Sequence, residues 1–468
     1  MEIFNNLGRV RQELIPRDAG KVGIYVCGPT VQSGPHLGHG KYAVVFDVVR
    51  RYLEWLGFDV TYVTNVTDVD DKIIAIANRE GVDIGDVAER VTAEFDDVFG
   101  RLGIKPPDFA PHATEHIPEM VELIEQLIAR DHAYESQGDV YFSVRSFPEY
   151  GKLSGRDIDE LRSGARIEPG ELKRDPLDFA VWKAAKPGEP SWDSPWSAGR
   201  PGWHIECSAM ASKYLGAGFD IHAGGQDLIF PHHENEIAQF EAATGQPFAR
   251  IWMHNGMVNL DGAKMSKSDG NVIDLAGALD KYPPLAVRLF YLRTHYRKAV
   301  EFSPDNLEDA KAALERLWAF RRRVPGPVEA EPHPDSVDRF TAAMDDDFDV
   351  AGGLGVLFDV VRDGNKTLDA GEDAGPWVAA YDVMAGVLGL VEPEVVLDDL
   401  EPELNALAAE VGVEVGSDVE ATLDALVARR ESARAEKEWA VTDAIRDRLN
   451  EAGITVEDTA DGARWYRG

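Results

Sequence analysis

Residues 229–239 read IFPHHENEIAQ, two adjacent histidines with two glutamates close behind. On a helix His232 and Glu236 lie four apart and share a face, while the residue four after His233 is Ile237. Only one histidine–carboxylate pair is therefore expected to converge. Such a pair is either a surface arrangement or half of a metal site whose other donors lie elsewhere. The chain has two cysteines, Cys27 and Cys207, far apart in sequence. Two thiols make no disulfide framework, and the plain alternative is a pair of small buried hydrophobes.

Two further stretches have the residue types for phosphate chemistry. In PHLGHG, residues 35–40, His36 and His39 stand where a loop enters a long helix. Backbone N–H groups and the helix dipole favour an anion there, and Gly38 lets a nucleotide approach closely. Alone, the pattern equally fits two loop histidines or part of a metal site. In KMSKS, residues 264–268, Lys264 and Lys267 flank small hydroxyl residues, and Gly270-Asn271 follows. Two lysines on such a loop suit a clamp on the β- and γ-phosphates of a triphosphate. A solvated basic loop is the alternative, although an odd one in so acidic a chain.

The elements that must position these residues follow from periodicity. VGIYVC, residues 22–27, reads as a buried strand, and DVTYVTNV, residues 59–66, as a second. Between them lies an amphipathic helix from Gly38, with Val45, Val49, Leu53 and Leu56 on one stripe and Gly57 as its stop. Strand, helix, strand is a βαβ unit of a parallel sheet. From 117 to 202 a helix, a short strand and a Gly/Pro-punctuated stretch read as an insertion. The α/β pattern resumes with helix HIECSAMASKYL, strand FDIHAGG and strand RIWMHNGMV. Helices dominate beyond about residue 305, an acidic, Pro-containing linker follows near 392–403, and the tail ends in a helix and two short strand-like pieces. The expected fold class is α/β: a Rossmann-type parallel-sheet domain in two halves (1–116 and 203–260) around a connective α+β insertion (117–202). A motif-bearing region (261–305), a helical bundle (306–395) and a small C-terminal module (396–468) complete it.

Composition sets the limits. Apolar residues make up 44% of 468, an ordinary globular composition. The longest apolar run, VMAGVLGLV at 383–391, is about half of the roughly 20 residues a membrane span needs. The N-terminus carries no apolar signal region, so a cytoplasmic protein with no membrane partner is expected. With 48 basic and 83 acidic residues the net charge is −35. Such a charge ordinarily argues against nucleic acid, because phosphate binding needs Lys and Arg. It also fits a halophilic surface, hydrated in molar salt where screening over roughly 3 Å removes self-repulsion. The even spread of the acids favours the halophilic reading.

Taken together, the His-x-Gly-His and Lys-Met-Ser-Lys-Ser motifs resemble the paired signatures of class I aminoacyl-tRNA synthetases. YVCGPTV, NVTDVDDKI, ATEHIPEM, EYGKLSGR, GRPGWHIECSAM, FPHHENEIAQ, WMHNGMV and KMSKSDGN narrow the resemblance to the cysteinyl-tRNA synthetase family. It runs from near residue 20 to EWAVTDAIRDRLNEAGITVEDT at the C-terminus.

The resemblance implies one zinc ion on Cys27, Cys207, His232 and Glu236. Two thiolates, an imidazole and a carboxylate are a reasonable tetrahedral set, and all four could meet at the carboxyl edge of one sheet. It further implies Thr67 and Trp203 in the amino-acid pocket, and Gly224, Gly225 and Asp227 under the ribose of ATP. His36, His39, Lys264 and Lys267 would act on the phosphates of ATP with Mg2+. The implied partners are L-cysteine, ATP and tRNA(Cys), with a monomer as the working form. Read as residues alone, the glycines fit turns and Trp203 fits a core equally well.

Departures are few: QSGP precedes His36, Asp269 follows the second motif, and Ala223 precedes GGQD. None removes an implied ligand, and Asp269 leaves the closing of its loop open. Two other functions remain: a ligase joining cysteine to an aminosugar, which lacks the anticodon-binding tail, and a non-catalytic zinc- or tRNA-binding paralogue. The long tail argues against the first and the intact phosphate motifs against the second.

Overall fold

The computed structural model describes residues 1–158, 172–260, 263–264, 273–393, 397–459 and 462–467. It divides into a unit of residues 1–391 and a smaller unit of residues 392–468. Among the described residues no helix is long and apolar enough to cross a membrane.

The centre of the larger unit is a four-stranded parallel sheet in the order Ala249–Asn255, Phe219–Gly225, Lys21–Val26, Asp59–Thr64. Its strands are rich in β-branched and aromatic residues, and Ile24, Tyr25, Val26, Phe219, Ile221 and Met253 are fully buried. Lys21–Val26 has its sequence successor, Asp59–Thr64, on one side and the later Phe219–Gly225 on the other. The strand order reverses there, and in open α/β sheets the crevice at such a point, outside the carboxyl ends, holds ligands.

Helix Leu37–Trp55 connects the first two strands. Val45, Val49 and Leu53 are buried as the stripe predicts, but Leu56 is the C-cap residue and is exposed. The stripe ends one turn early because Gly57, at φ +90, has already turned the chain away. Inside this helix Asp47 accepts hydrogen bonds from Arg51 (2.7 Å) and Arg288. Arg288, wholly buried on helix Pro284–Leu292, also donates to Leu388 O (2.8 Å) on helix Gly375–Leu388. One core therefore runs from the sheet through the first helix into the helices beyond residue 304.

The segment inserted after the second strand has helix Ile117–Ala129 and a four-stranded antiparallel sheet formed by 133–136, 139–142, 179–184 and 199–201. Its helix shares a core with helices Trp203–Leu215 and Glu234–Thr244, so the insertion backs the two helices that carry Cys207 and Glu236. An N-terminal hairpin, Glu2–Asn5 with Val10–Glu13, has no counterpart in the sequence reading. Asn5 Oδ1 accepts from Trp252 N (2.9 Å) and Asn5 Nδ2 donates to Arg250 O (2.9 Å), covering the edge strand Ala249–Asn255. Four-residue strands are too short for alternation to show.

Further on, Val258–Leu260 pairs in parallel with Val300–Phe302 and antiparallel with Ala263–Lys264. Helices Pro304–Arg322, Pro334–Asp345, Val350–Asp369 and Gly375–Leu388 follow. In the smaller unit, helices Glu401–Val411, Val419–Ala435 and Trp439–Glu451 enclose their own apolar core with Ile454. The two strand-like pieces form the hairpin Ile454–Thr459 and Gly462–Arg467.

Candidate active site

At the entry to the first helix, His36 is the N-cap and the two histidine rings stack with centroids 3.7 Å apart. His36 Nδ1 accepts from Gly38 N (3.1 Å), and His39 Nδ1 accepts from His36 N (3.1 Å). A ring nitrogen that accepts a backbone proton carries none of its own, so in the neutral rings the proton sits on Nε2. Capping thus fixes the tautomer in which both rings are donors. A Cβ at Gly38 would come within 2.9 Å of the His36 ring, so glycine there makes room for the cap itself.

At the end of Phe219–Gly225, a Cβ on Gly224 would lie 2.9 Å from the His233 ring. Asp227 is exposed beyond it, and Gln226 Nε2 donates to Arg297 O (3.0 Å). Lys264 has its backbone paired with Asn259, whereas Lys267 and Asp269 lie outside the described residues.

Between these ends lies a buried polar floor. Cys27 follows the first strand, Cys207 lies on helix Trp203–Leu215, His232 on a wide turn (Ile229–His233), and Glu236 in the first turn of Glu234–Thr244. One donor atom from each of the four lies within 4.8 Å of the others, and all four residues are buried. Cys27 Sγ is 3.4 Å from Glu236 Oε1, and His232 Nε2 is 3.0 Å from the same oxygen.

The expectation that a single histidine would meet Glu236 is too narrow. His222, on the central strand, approaches Glu236 Oε2 at 2.8 Å, and His233 Nε2 lies 3.9 Å from Oε1. Helical spacing could not reveal His222, because it arrives from a strand. His233 is three residues before Glu236 and so shares a helical face with it as well, a spacing that counting only four-residue steps passes over. A second donor group, Cys27, His222, His233 and Glu236, therefore overlaps the first.

Electrostatics favours a cation here. Against the penalty of burial, His222 and His232 hold Glu236 well below the usual carboxylate range. Cys207 is brought down to about 7, first by a hydrogen bond from Cys27 and also by His232, while burial pushes Cys27 well up. Against burial, Glu236 and Cys207 hold the His232 imidazolium up to about 10. A carboxylate and an easily ionised thiol thus face an imidazolium, and a divalent ion can take the place of its proton. Among the described residues the buried Nε2 of His233 meets no hydrogen-bond partner. Two soft thiols, imidazoles and one carboxylate form a donor set suited to zinc.

Around this floor Trp203 is partly exposed and stacks on His232, with ring centroids 4.2 Å apart. Thr67 is buried; its Oγ1 donates to Glu206 Oε2 (2.9 Å) and accepts from Asn65 Nδ2 (3.2 Å). Burial pushes the Glu206 carboxyl well up, and Asn65 Oδ1 also lies 3.6 Å from Cys207 Sγ. From sequence His233 is set aside, and Asn65, His204, Glu206, His222 and His254 are not singled out. Of these His204, Glu206 and His233 each stand next to a residue that is singled out (Trp203, Cys207 and His232), the nearest thing to a signal.

The sequence matches three families in order: tRNA synthetases class I (C) catalytic domain at residues 13–312, DALR domain at 339–392, and cysteinyl-tRNA ligase anticodon binding domain at 417–466. Cysteine–tRNA ligases of Shewanella loihica and Halorhodospira halophila are each 48% identical over 470 residues, covering all of this chain and 100% and 99% of theirs. That of Alkalilimnicola ehrlichii is 49% identical over the whole of both chains. Among solved structures, Mycobacterium tuberculosis methionyl-tRNA synthetase bound by methionyl-adenylate aligns over 84% of this chain and 94% of its own, with a TM-score of 0.57 at 16% identity. A putative arginyl-tRNA synthetase from Campylobacter jejuni aligns over 78% and 91%, with a TM-score of 0.52 at 14% identity. These two likenesses extend to the fold alone. With full-length identity near one half and all three domains in order, the chain belongs to the cysteinyl-tRNA ligase family of class I aminoacyl-tRNA synthetases.

Proposed function

We propose that this chain activates L-cysteine with ATP and transfers it to the 3' end of tRNA(Cys). Beside family membership, the observation that carries the reading is the gathering of Cys27, Cys207, His232 and Glu236 within 4.8 Å on a buried floor. These four would hold zinc, which supplies a soft centre that binds the thiolate of cysteine and only poorly the hydroxyl of serine. Recognition by a metal rejects a near-isostere that an apolar pocket could not. Trp203 and Thr67 border the same floor and form the amino-acid pocket. Asn65 and Glu206 hold the Thr67 hydroxyl in place.

The cysteine carboxylate attacks the α-phosphorus of ATP, forming the mixed anhydride and releasing pyrophosphate. His36 and His39, held as Nε2–H donors, stabilise charge building on the phosphate oxygens, with Lys264 and Lys267 on the departing pyrophosphate. Gly224, Gly225 and Asp227 take the ribose of ATP. A ribose hydroxyl of the tRNA terminus then attacks the acyl carbon and AMP departs. Residues 417–466 read the anticodon. Pyrophosphate exchange that depends on cysteine, followed by charging of tRNA(Cys), tests the proposal. Exchange without charging would point to transfer onto a smaller acceptor.

A further inference from the structure

Lys41 is wholly buried on the first helix, little more than one turn after His36, and among the described residues no carboxylate meets it. Its Nζ donates to the carbonyls of Lys298 (2.6 Å) and Met257 (3.3 Å). Met257 leads into Val258–Leu260, the strand that pairs with Ala263–Lys264; Lys298 leads into the neighbouring strand Val300–Phe302. Met257 O already accepts from Val300 N (3.0 Å), so the lysine is an added bond and not the only way to satisfy that carbonyl.

The two backbones cross closely at this point. A Cβ on Gly256 would lie 2.4 Å from the backbone of Lys298, and Gly256 N donates to Tyr296 O (2.8 Å). The entry of the same helix is bonded to the chain beyond residue 272 as well. Leu37 N donates to Ile273 O (3.3 Å), and Leu275 N donates to Pro35 O (3.0 Å). The histidine end of the helix is thus tied to the chain on both sides of residues 261–272.

We propose that Lys41 is a positioning residue for adenylate formation: its amine pins the crossing of Met257 and Lys298, and thereby sets the strand that leads to Lys264 against the His36 and His39 end of the helix. This rests on the activity proposed above. Simple packing does not account for the residue, because a buried amine that among the described residues meets carbonyls and no carboxylate carries a desolvation cost that a methionine of similar length would avoid. Burial brings the ammonium down to about 7. An amine donates to two carbonyls in either protonation state, so the tether does not depend on titration.

The test compares Lys41→Met and Lys41→Gln with the parent in cysteine-dependent pyrophosphate exchange. In Lys41→Met, kcat/KM for ATP should fall by about ten- to a hundredfold, the cost of a small misplacement of a reacting group, while KM for cysteine stays parental. Lys41→Gln keeps an NH2 donor group on a shorter stem and should fall between the two. A folded Lys41→Met with parental kcat/KM for ATP overturns the tether. So does one that only lowers Tm, or one that loses ATP and cysteine alike. If Lys41→Met does not fold, parental kcat/KM for ATP in Lys41→Gln overturns it, and a selective fall supports it. A parent that shows no cysteine-dependent exchange overturns the proposed activity itself, a result distinct from unchanged variants beside an active parent.

Discussion

The floor of the site and its histidine mouth are built in opposite ways. On the floor, side chains from four separate elements are buried against one another, and their partners are mostly other side chains. At the mouth, His36 and His39 come from a single helix entry, are half-buried, and spend their Nδ1 atoms on the backbone of that entry. A buried cluster of ionisable groups is a commitment: each group must be met by another or by an ion. A helix entry commits to much less, since its N–H groups, its dipole and two aimed N–H donors suit any phosphate. On the proposed function, selectivity for the amino acid would belong to the floor, and work on the triphosphate to the mouth.

If that division holds, each region can be broken without the other. The largest effect is expected for Cys207→Ser. It keeps the shape but removes a soft donor, so bound zinc is lost or loosened and the preference for cysteine over serine falls by as much as ~10⁴-fold. Metal analysis and exchange with each amino acid measure this, and retained selectivity would take discrimination away from the floor. Next is His39→Ala, which should lower pyrophosphate exchange by about 10²–10³-fold, as for loss of a donor aimed at developing charge, with zinc content unchanged. Loss of zinc in that variant would show that the regions are not separate.

A smaller change is expected in His222→Ala, where Glu236 loses its 2.8 Å partner. Zinc affinity should drop by about 10–100-fold, the usual effect of removing a residue that orients a ligand. Competition with a chelator reads it out, and parental affinity would make His222 a packing residue only. The smallest effect on either region is expected from ending the chain at Val391. Cysteine activation should be unchanged while tRNA charging weakens, and a truncated enzyme that charges as well as the parent would remove the tail from tRNA recognition.

The same contrast governs what could be read from sequence. The strands around Ile24 and Ile221 and the long first helix were legible because period and length agree over whole elements. His232 and Glu236 were legible because they share one helical segment. Cys27 and Cys207 joined them only through the family resemblance, since nothing local says that a strand end and a distant helix will meet. His222 was hidden on a buried strand, where a polar residue at a wholly buried position leaves no mark in the alternation. Lys41 was hidden similarly, in a helix whose amphipathic stripe explains its neighbours. Asn5 and the N-terminal hairpin were missed because four-residue strands carry too short a pattern.

In the proposed mechanism Cys27, Cys207, His232 and Glu236 form a metal centre that reads the substrate thiol. Metal analysis of the purified parental chain, after adventitious ions have been removed, tests it most directly. One tightly held zinc per chain is the predicted result. A folded chain that activates cysteine with no stoichiometric zinc would contradict the account.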